Sequence, residues 1–474
     1  MTHTAAFIAG RHVAGTAAYD NIDPGTGKSA GTVIRCGADE IDQAVQAAWS
    51  AQPGWNDTPT AERASLLTRL ADTISAHSEE LARLESEDTG KPITQARTDA
   101  AVCARYFQFY GHAIDTYYGD TIPVQPGLHA YTTREPYGVT GHIVAWNYPM
   151  QLFARGVAPA IATGNSSVVK PADETPRTAV RLAELAVEVG IPAGVVNVVP
   201  GYGVEAGAAL TAHPGVRHIG FVGSTEVGAQ VARAGADNVT PVVLELGGKS
   251  AHVVFADAAL DDAADAITRG ILQNAGQTCS AGSRLIVDER VHDELTEKLV
   301  ERFARVRLGA GVDDPDLGPL ISAKQQTRVR GFLDELDAGE VLIGGRAPQD
   351  PDLADGAYFL PTIVDGVDPT SPIAQQEIFG PVLTVMTFAE QQEAVRLANC
   401  TEYALMGAVW TRDISNALTT ARGIEAGQVY VNAFGAGGGV ELPFGGFRKS
   451  GYGREKGVEA LNAYTQSKTF VIKL

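Results

Sequence analysis

The feature that most constrains the fold is an alternation of short apolar runs and helical stretches that begins near Val139. Five runs read as strands: VTGHIVA, SSVVK, GVVNVVP, RHIGFVG and SAHVVF. After the second run, Leu182 and Leu185 lie on the apolar face of a helix that Thr175 caps and Pro176 begins. Alternation of this kind predicts an α/β fold with a parallel, doubly wound sheet that binds a nucleotide at the carboxyl ends of its strands.

The N-terminal part of the chain reads as helices, because apolar residues recur there every three or four positions. Ile41 and Val45 belong to one such series, and Leu66 and Leu70 belong to a second. The chain has 474 residues, which is too long for one ordinary hydrophobic core. Two or three domains are therefore expected.

The charge and the cysteine usage exclude several classes of protein. A net charge of −19 disfavours nucleic acid and anionic membranes as partners, and no apolar run reaches the length of about 18 residues that would indicate a membrane-spanning helix. The start MTHTAAFIAG lacks the basic and apolar segments of a secretory signal. The four cysteines are scattered and the ten histidines form no H-E-x-x-H motif. We therefore expect a cytoplasmic location, no disulfide framework and no catalytic metal.

Two residues suggest covalent catalysis. Glu245 stands in VLELGGKS, at the end of an apolar run, and Cys279 stands in NAGQTCSAG after a glycine-rich turn. A thiolate can attack a carbonyl carbon, and a carboxylate can then activate water. Taken singly, each residue has a plainer interpretation, in which Cys279 is a small buried apolar residue and Glu245 a surface charge.

The wider contexts of these residues resemble the aldehyde dehydrogenase superfamily. The resemblance covers about Ala38 to Leu474 and is carried by seven ordered motifs: AWNYP, VVKPADETP, FVGSTEVG, ELGGK, GQTC, EIFGP and PFGGFRKSGYGRE. It implies an NAD(P)+-dependent enzyme that oxidises an aldehyde to a carboxylic acid through a thiohemiacetal and a thioester on a cysteine. Two alternatives are a CoA-acylating relative, which typically lacks the glutamate of ELGGK, and a non-catalytic structural relative.

The resemblance assigns the catalytic roles. Cys279 is the nucleophile, in a site that should favour its thiolate, and Glu245 is the base that activates water. Asn147 and the backbone N–H of Cys279 hold the oxyanion. The alternative role for Asn147 is that of a cap for the helix predicted to begin near Pro149.

The resemblance also implies a Rossmann-like cofactor site. Its expected residues are Trp146, Lys170, Asp173, Gly201, Gly223, Ser224, Gly228, Glu377 and Phe379. Asp173 stands where the family usually has glutamate, and its charge should oppose a 2′-phosphate, so NAD is expected rather than NADP. A plain surface ion pair between Lys170 and Asp173 is the alternative, and a tight turn is the alternative role for Gly201.

The substrate pocket is predicted on the helix that follows Asn147. Tyr148, Leu152 and Arg155 share one face of that helix, and Arg155 there would pair with a carboxylate on the substrate. Semialdehyde-oxidising relatives commonly add a second arginine where this chain has Gln273. The substrate is thus expected to be a carboxylated semialdehyde or an aromatic aldehyde, and the alternative is that Arg155 forms a salt bridge inside the pocket wall.

The domain organisation follows from the resemblance alone. It implies an NAD-binding domain of residues 1–115 and 136–249 and a catalytic domain of residues 250–430. An oligomerisation arm would combine residues 116–135 and 458–474, where IPVQPGLHAYTTR and KTFVIKL alternate like strands. The expected assembly is a homodimer or a homotetramer.

Overall fold

The computed structural model of the protein describes residues 2–15, 17–435 and 439–474. Its α-helices, numbered in chain order, are α1 Ala38–Asp57, α2 Thr60–Ala76, α3 Ser78–Thr89, α4 Ile93–Ala113, α5 Pro149–Ala162, α6 Arg177–Glu188, α7 Ala208–Ala212, α8 Thr225–Asp237, α9 Leu260–Leu272, α10 His292–Ala304, α11 Ala323–Asp334, α12 Pro372–Gln375, α13 Gln391–Ala398, α14 Ile414–Gly423 and α15 Glu459–Ala463. Its strands are β1 Thr2–Thr4, β2 Ala6–Ile8, β3 Arg11–Val13, β4 Ala18–Ile22, β5 Ser29–Ile34, β6 Thr121–Ile122, β7 Leu128–Pro136, β8 Val139–Ile143, β9 Ser166–Lys170, β10 Val196–Val198, β11 His218–Val222, β12 Val242–Glu245, β13 Ala251–Val254, β14 Arg284–Asp288, β15 Glu340–Ile343, β16 Thr362–Asp365, β17 Val382–Phe388, β18 Tyr403–Ala404, β19 Met406–Trp410, β20 Gln428–Val431, β21 Phe447–Arg448, β22 Gly451–Tyr452 and β23 Thr465–Lys473. No helix in these ranges has both the length and the apolar character needed to cross a membrane.

The larger sheet has the strand order β22-β12-β11-β8-β9-β10-β2-β3. Its five central strands, from β12 to β10, run parallel. Both faces are covered: Val168 of β9 packs into the cluster that contains Ile41 of α1, whereas Val169 packs into the cluster that contains Phe153 of α5. Alternate residues of one strand therefore serve two cores, which confirms the predicted doubly wound α/β sheet.

A second sheet has the order β15-β16-β17-β14-β13-β19-β20, and all of its strands except β15 run parallel. It carries a separate apolar core that includes Leu285 and Ile286 of β14 and Ile267 of α9. Away from both sheets, β23 pairs antiparallel with β7 from Thr465 to Lys473, and β6 completes this three-stranded sheet. The two segments predicted as strands, one mid-chain and one C-terminal, are thus confirmed, and they pair with each other.

The N-terminus differs from its prediction, because five short strands precede the predicted helices. β1 pairs parallel with β5, and β2 pairs antiparallel with β10, so Phe7 lies opposite Val198. Strands of this kind are only three to six residues long. A stretch so short shows no clear alternation, and its pairing with distant strands leaves no local signal. The helices expected around Ile41 and Leu66 are confirmed as α1 and α2.

Helix α6 begins at Arg177, one residue later than predicted, and Thr175 does not cap it. Pro176 occupies the cap position, and the Thr175 hydroxyl has no hydrogen-bond partner within the described part of the chain. Instead, the Arg177 backbone N–H donates to the carboxylate of Asp88, at 3.3 Å. The helix start is therefore stabilised by a residue of α3, which no local pattern could reveal.

Candidate active site

A cavity of about 320 Å³ lies where the carboxyl ends of β11 and β12 approach the second sheet. Predicted site residues that line it are Trp146, Asn147, Tyr148, Leu152, Arg155, Gly223, Ser224, Glu245, Gln273, Cys279, Glu377 and Phe379. Four predicted cofactor residues lie outside this cavity: Lys170, Asp173, Gly201 and Gly228. A cavity of this size that holds polar groups in a mostly apolar wall is typical of a small-molecule site.

The backbone before Cys279 is held in an unusual conformation. Asn274, Ala275 and Gly276 all have left-handed backbone angles, with φ of 50°, 54° and 72°. Such angles are costly for residues other than glycine and persist only where neighbouring groups fix them. The Asn274 side-chain amide supplies this support, because it donates to the carbonyls of Asn147, at 2.9 Å, and of Gln277, at 3.3 Å. The turn therefore ties the nucleophile segment to the segment of Asn147.

Asn147 is buried and does not cap α5. The helix begins at Pro149 as predicted, but its cap position is Tyr148 and receives no side-chain hydrogen bond. The Asn147 amide Nδ2 instead donates to the Gln277 carbonyl, at 3.0 Å. An amide carries two N–H groups, so the second remains available in the cavity. The capping alternative is therefore wrong, and Asn147 contributes an amide to the cavity lining.

A buried charge network, which the sequence analysis missed, lies behind Asn147. The Lys91 ammonium donates to Glu85 at 2.9 Å, to Asp99 at 2.5 Å and to the backbone carbonyl of Asn147 at 2.9 Å. The second carboxylate oxygen of Glu85 accepts the backbone N–H of Met150, at 3.1 Å. All three charged side chains are almost completely buried. The network therefore fixes both the Asn147 backbone and the first turn of α5.

Glu245 ends β12 with its carboxylate buried in the cavity wall. Neither carboxylate oxygen has a hydrogen-bond partner within the described ranges, and the nearest cation is Nη2 of Arg155, at 4.0 Å. Burial, and next the charge of Glu455, raise the pKa of Glu245 well above its ordinary value. Burial therefore favours the protonated form of Glu245 and makes its carboxylate a stronger base than an exposed one.

The two glycines of ELGGK allow this segment to pack closely against Cys279 and Glu377. A Cβ atom on Gly248 would lie 2.2 Å from the carbonyl oxygen of Cys279, and one on Gly247 would lie 2.4 Å from the carboxylate of Glu377. The backbone N–H of Gly248 donates to the same carboxylate, at 2.9 Å. Only glycine fits this approach, which explains the motif physically.

The Cys279 thiol is protonated in this arrangement. Burial raises the pKa of Cys279 to about 12, and the nearby Arg155 lowers it by less. The expectation that the surroundings alone favour the thiolate is therefore wrong, because desolvation outweighs the neighbouring cation. The thiol must therefore lose its proton before Cys279 can act as a nucleophile.

Arg155 is held by an acid that the sequence analysis did not identify. Its Nε donates to the carboxylate of Glu455, and its guanidinium lies 4.8 Å from the ring centre of Phe444. The residue is only 6% exposed. The structure therefore favours the salt bridge inside the wall, since Nε of Arg155 is already used by Glu455, although its Nη2 has no hydrogen-bond partner within the described ranges.

One end of the cavity is suited to the nicotinamide half of a dinucleotide. The rings of Trp146 and Phe379 meet edge to face with centres 5.2 Å apart, and the half-buried Glu377 lines the same cavity. Ser224 caps α8, with its hydroxyl accepting from the backbone N–H of Val227 at 3.3 Å. The start of α8 also offers N–H groups and a positive dipole end to a phosphate.

The remaining cofactor candidates have mixed surroundings. The Lys170 ammonium, at the end of β9, forms an ion pair with the carboxylate of Asp173. A Cβ atom on Gly201 would lie 2.5 Å from the Cys36 carbonyl, and one on Gly228 would lie 2.5 Å from Leu246. Gly201 and Gly228 thus serve close packing, whereas Lys170 and Asp173 stand at the sheet edge expected for adenosine.

Phe444 and Lys456 line the cavity but were missed as site residues, although PFGGFRKSGYGRE was recognised as a signature. Glu455, which pairs with Arg155 behind the cavity wall, was missed as well, and all three residues are buried. No local pattern marks them, because they reach the cavity through backbone pairing of Phe444 with Glu455. Within the described ranges, no group of three histidine, cysteine, aspartate or glutamate side chains is placed to hold a metal ion.

Comparison with known proteins gives consistent matches over nearly the whole chain. The family model described as aldehyde dehydrogenase family matches residues 12–470. Hydroxyisobutyraldehyde dehydrogenase of Mycolicibacterium austroafricanum is 43% identical over 465 residues, which are 97% of this chain and 91% of that protein. The NAD-dependent aldehyde dehydrogenase from Sinorhizobium meliloti is 39% identical with a TM-score of 0.97, covering 100% of this chain and 95% of the other. An indole-3-acetaldehyde dehydrogenase complexed with NAD+ is 39% identical with a TM-score of 0.97, covering 99% and 97%.

Proposed function

This chain belongs to the aldehyde dehydrogenase family, whose members oxidise aldehydes to carboxylic acids, and we propose that it does so with Cys279 as nucleophile, Glu245 as general base and NAD+ as preferred cofactor. The observation that carries these assignments is one cavity lined by Cys279, Glu245 and Asn147 together with Trp146 and Phe379. Family membership gives the reaction, and the cavity suggests which residues perform it.

The residues present fit a bound dinucleotide. The helix start at Ser224 provides donors for phosphate, and the half-buried carboxylate of Glu377 provides an acceptor for a ribose hydroxyl. The crossed rings of Trp146 and Phe379 provide apolar surface for a ring. Two solved relatives support the same cofactor, since one is named NAD-dependent and the other is complexed with NAD+. When bound, NAD+ supplies the hydride acceptor for the oxidation.

Cys279, Asn147 and Glu245 each perform a different step of the proposed reaction. The Cys279 sulfur attacks the aldehyde carbon, and the thiol proton passes to a base in the cavity. The free N–H of Asn147 and the backbone N–H of Cys279 stabilise the negative charge that develops on the aldehyde oxygen. Loss of hydride leaves the acyl group as a thioester on Cys279. Glu245 then takes a proton from water, the water attacks the thioester, and the acid leaves with the thiol restored.

The preference for NAD+ over NADP+ rests on Asp173. Its carboxylate lies at the carboxyl end of β9, where an adenosine ribose is expected, and it would repel a 2′-phosphate. Its partner Lys170 acts in the opposite direction, and their ion pair partly offsets both charges, so the preference for NAD+ should be moderate.

Names of the relatives do not identify the aldehyde. One relative is named for hydroxyisobutyraldehyde and another for indole-3-acetaldehyde, which differ greatly in size and shape. The CoA-acylating alternative is disfavoured by the buried Glu245, since the resemblance associates that reaction with loss of this glutamate. The non-catalytic alternative is disfavoured by the intact set of Cys279, Glu245 and Asn147 in one cavity.

The sheets support the domain division expected from the family. The larger sheet and its helices would form the NAD-binding domain, and the second sheet, around residues 250–430, would form the catalytic domain. The three-stranded sheet of β6, β7 and β23 would be the oligomerisation arm. It leaves Val471 62% exposed and Leu474 82% exposed, which is apolar surface available to another subunit of a homodimer or homotetramer.

The proposed function is tested by aldehyde-dependent formation of NADH, with analysis of the product in the presence and absence of CoA. The wild-type protein should release the free acid without CoA. Cys279→Ala should reduce turnover below about a thousandth of wild type while NAD+ still binds, because the covalent step is lost. Cys400→Ser is the matched control, since Cys400 lies outside the cavity. Turnover by Cys279→Ala near the wild-type rate would overturn the assignment.

A further inference from the structure

Lys456 is a buried ammonium that lines the cavity without an acidic partner. The residue is 8% exposed, and no carboxylate or hydrogen-bond acceptor contacts its Nζ within residues 2–15, 17–435 and 439–474. Within those ranges Nζ forms a cation–π contact with the ring of Phe444, whose centre lies 4.9 Å away. Buried charges are normally paired, because desolvation is costly. An unpaired ammonium in a ligand cavity is therefore suited to bind an anionic group of a ligand.

The backbone presents Lys456 to the cavity at an energetic cost. Its φ of 60° is left-handed, which is strained for a residue with a Cβ atom. Hydrogen bonds hold its neighbours on both sides: Glu455 exchanges backbone bonds with Phe444, at 2.7 and 2.8 Å, and the Gly457 N–H donates to Val440, at 2.6 Å. A glycine would adopt this angle without strain. A lysine held here points to a role for its side chain.

The neighbouring charges leave Lys456 unbalanced. Arg155 is neutralised by Glu455, whose carboxylate accepts from its Nε. Burial raises the pKa of both Glu245 and Cys279, which favours the uncharged form of each group. Burial and the charge of Arg155 lower the pKa of Lys456 to about 8, which still leaves most of the ammonium protonated near pH 7. With Arg155 paired to Glu455 and Lys456 unpaired, this wall of the cavity favours an anion.

We propose that Lys456 binds a carboxylate carried by the aldehyde substrate, an inference that rests on the proposed aldehyde oxidation. An ammonium is a compact charge that pairs with a carboxylate from many directions, and the low exposure of the site strengthens the pair. Leu152 and Phe444 in the same wall provide apolar surface for the carbon skeleton of the substrate. The anion selectivity expected of Arg155 thus belongs to Lys456, which has no competing acid.

The test measures kcat/KM for matched pairs of aldehydes. One pair is succinate semialdehyde and its methyl ester, and the other is 4-carboxybenzaldehyde and the isosteric 4-nitrobenzaldehyde. Wild type should prefer the carboxylate of at least one pair. Lys456→Met should lower that anionic-to-neutral ratio about tenfold or more, and Lys456→Arg should retain part of it. Lys449→Met is the control, because Lys449 lies in the same C-terminal segment but pairs with Glu402 on the surface.

Each outcome of this test is decisive. An unchanged ratio in Lys456→Met, or an equal loss with both members of each pair, would overturn the proposal; the second result would mean that Lys456 acts on Cys279 or Glu245. If Lys456→Met does not fold, inhibition of the wild-type oxidation of 4-nitrobenzaldehyde replaces it. Benzoate should then inhibit competitively and at least about tenfold more strongly than benzamide, and equal inhibition would refute the proposal. Absence of NADH formation with every aldehyde would instead contradict the proposed function itself.

Discussion

Replacement of Lys91 by methionine tests whether the buried charge network holds the oxyanion site. Lys91→Met keeps most of the side-chain volume but removes an ammonium that contacts Glu85, Asp99 and the carbonyl of Asn147. Two carboxylates would then share a buried space without a cation. Removal of one partner from a buried ion pair typically costs about 3–5 kcal/mol of stability, because a charge is left without compensation.

The size of the effect should depend on pH. Burial, with a smaller contribution from Asp99, raises the pKa of Glu85 above its ordinary value in the folded protein. A carboxyl group with a raised folded pKa binds a proton on folding, so its contribution to stability is lost as pH rises above the unfolded pKa of about 4.3. Without Lys91 this pKa rises further. The variant should therefore lose less stability near pH 6, where Glu85 is protonated, than near about pH 9, where it is driven to ionise.

Thermal unfolding and initial rates give the two readouts. Lys298→Met is a matched control, because Lys298 also contacts two acids, Asp261 and Glu294, but on the surface, where such pairs contribute about 1 kcal/mol or less. Lys91→Met should unfold at a clearly lower temperature than this control. Its kcat should fall about tenfold or more with a neutral aldehyde, because Asn147 loses a support. Equal melting temperatures and equal kcat for the two variants would refute the reasoning.

Three further predictions concern the cofactor, the pocket wall and pH. The kcat/KM with NAD+ should exceed that with NADP+ by about tenfold or more, equivalent to roughly 1.4 kcal/mol, and Asp173→Ser should shift the ratio toward NADP+. Similar wild-type values with both cofactors would contradict the role of Asp173. Arg155→Met should lower kcat/KM for carboxylated and neutral aldehydes to a similar extent, because it leaves Glu455 buried without its cation. A loss confined to the carboxylated substrate would show that Arg155 binds the substrate carboxylate. Burial raises the pKa of both Cys279 and Glu245, and both groups act after losing a proton. The value of kcat/KM should therefore rise from about pH 6 to about pH 9, and a falling profile would exclude Cys279 and Glu245 as the nucleophile and the base.

The sequence predicted those parts of the fold and site that depend on local pattern or on recognisable motifs. The runs that became β8, β9, β10, β11 and β13 end at turns and are rich in branched apolar residues, so each was visible by itself. Asn147, Glu245 and Cys279 were identified because each stands in a motif that the family resemblance interprets. The structure then places all three in one cavity wall.

The missing parts depend on long-range contacts. Glu455 lies 300 positions from Arg155, and Lys91 lies 56 positions from Asn147, so no spacing rule connects either pair. Desolvation is equally invisible in a sequence, which is why the thiolate was expected at Cys279 and the structure indicates a protonated thiol. Lys456 was passed over for the same reason: its exposure and lack of a partner are properties of the folded chain.

The central claim is that Cys279 and Glu245 carry separate halves of one reaction, and the most direct measurement is a rapid-mixing experiment on Glu245→Gln. The amide cannot accept a proton from water but keeps the shape of the side chain. With NAD+ and an aldehyde that wild type oxidises, the variant should form NADH in a burst of about one equivalent per active site, followed by slow turnover. After a quench, peptide mass analysis should find the acyl group on Cys279. Steady turnover at the wild-type rate, or a burst that leaves no acyl group on Cys279, would contradict the account.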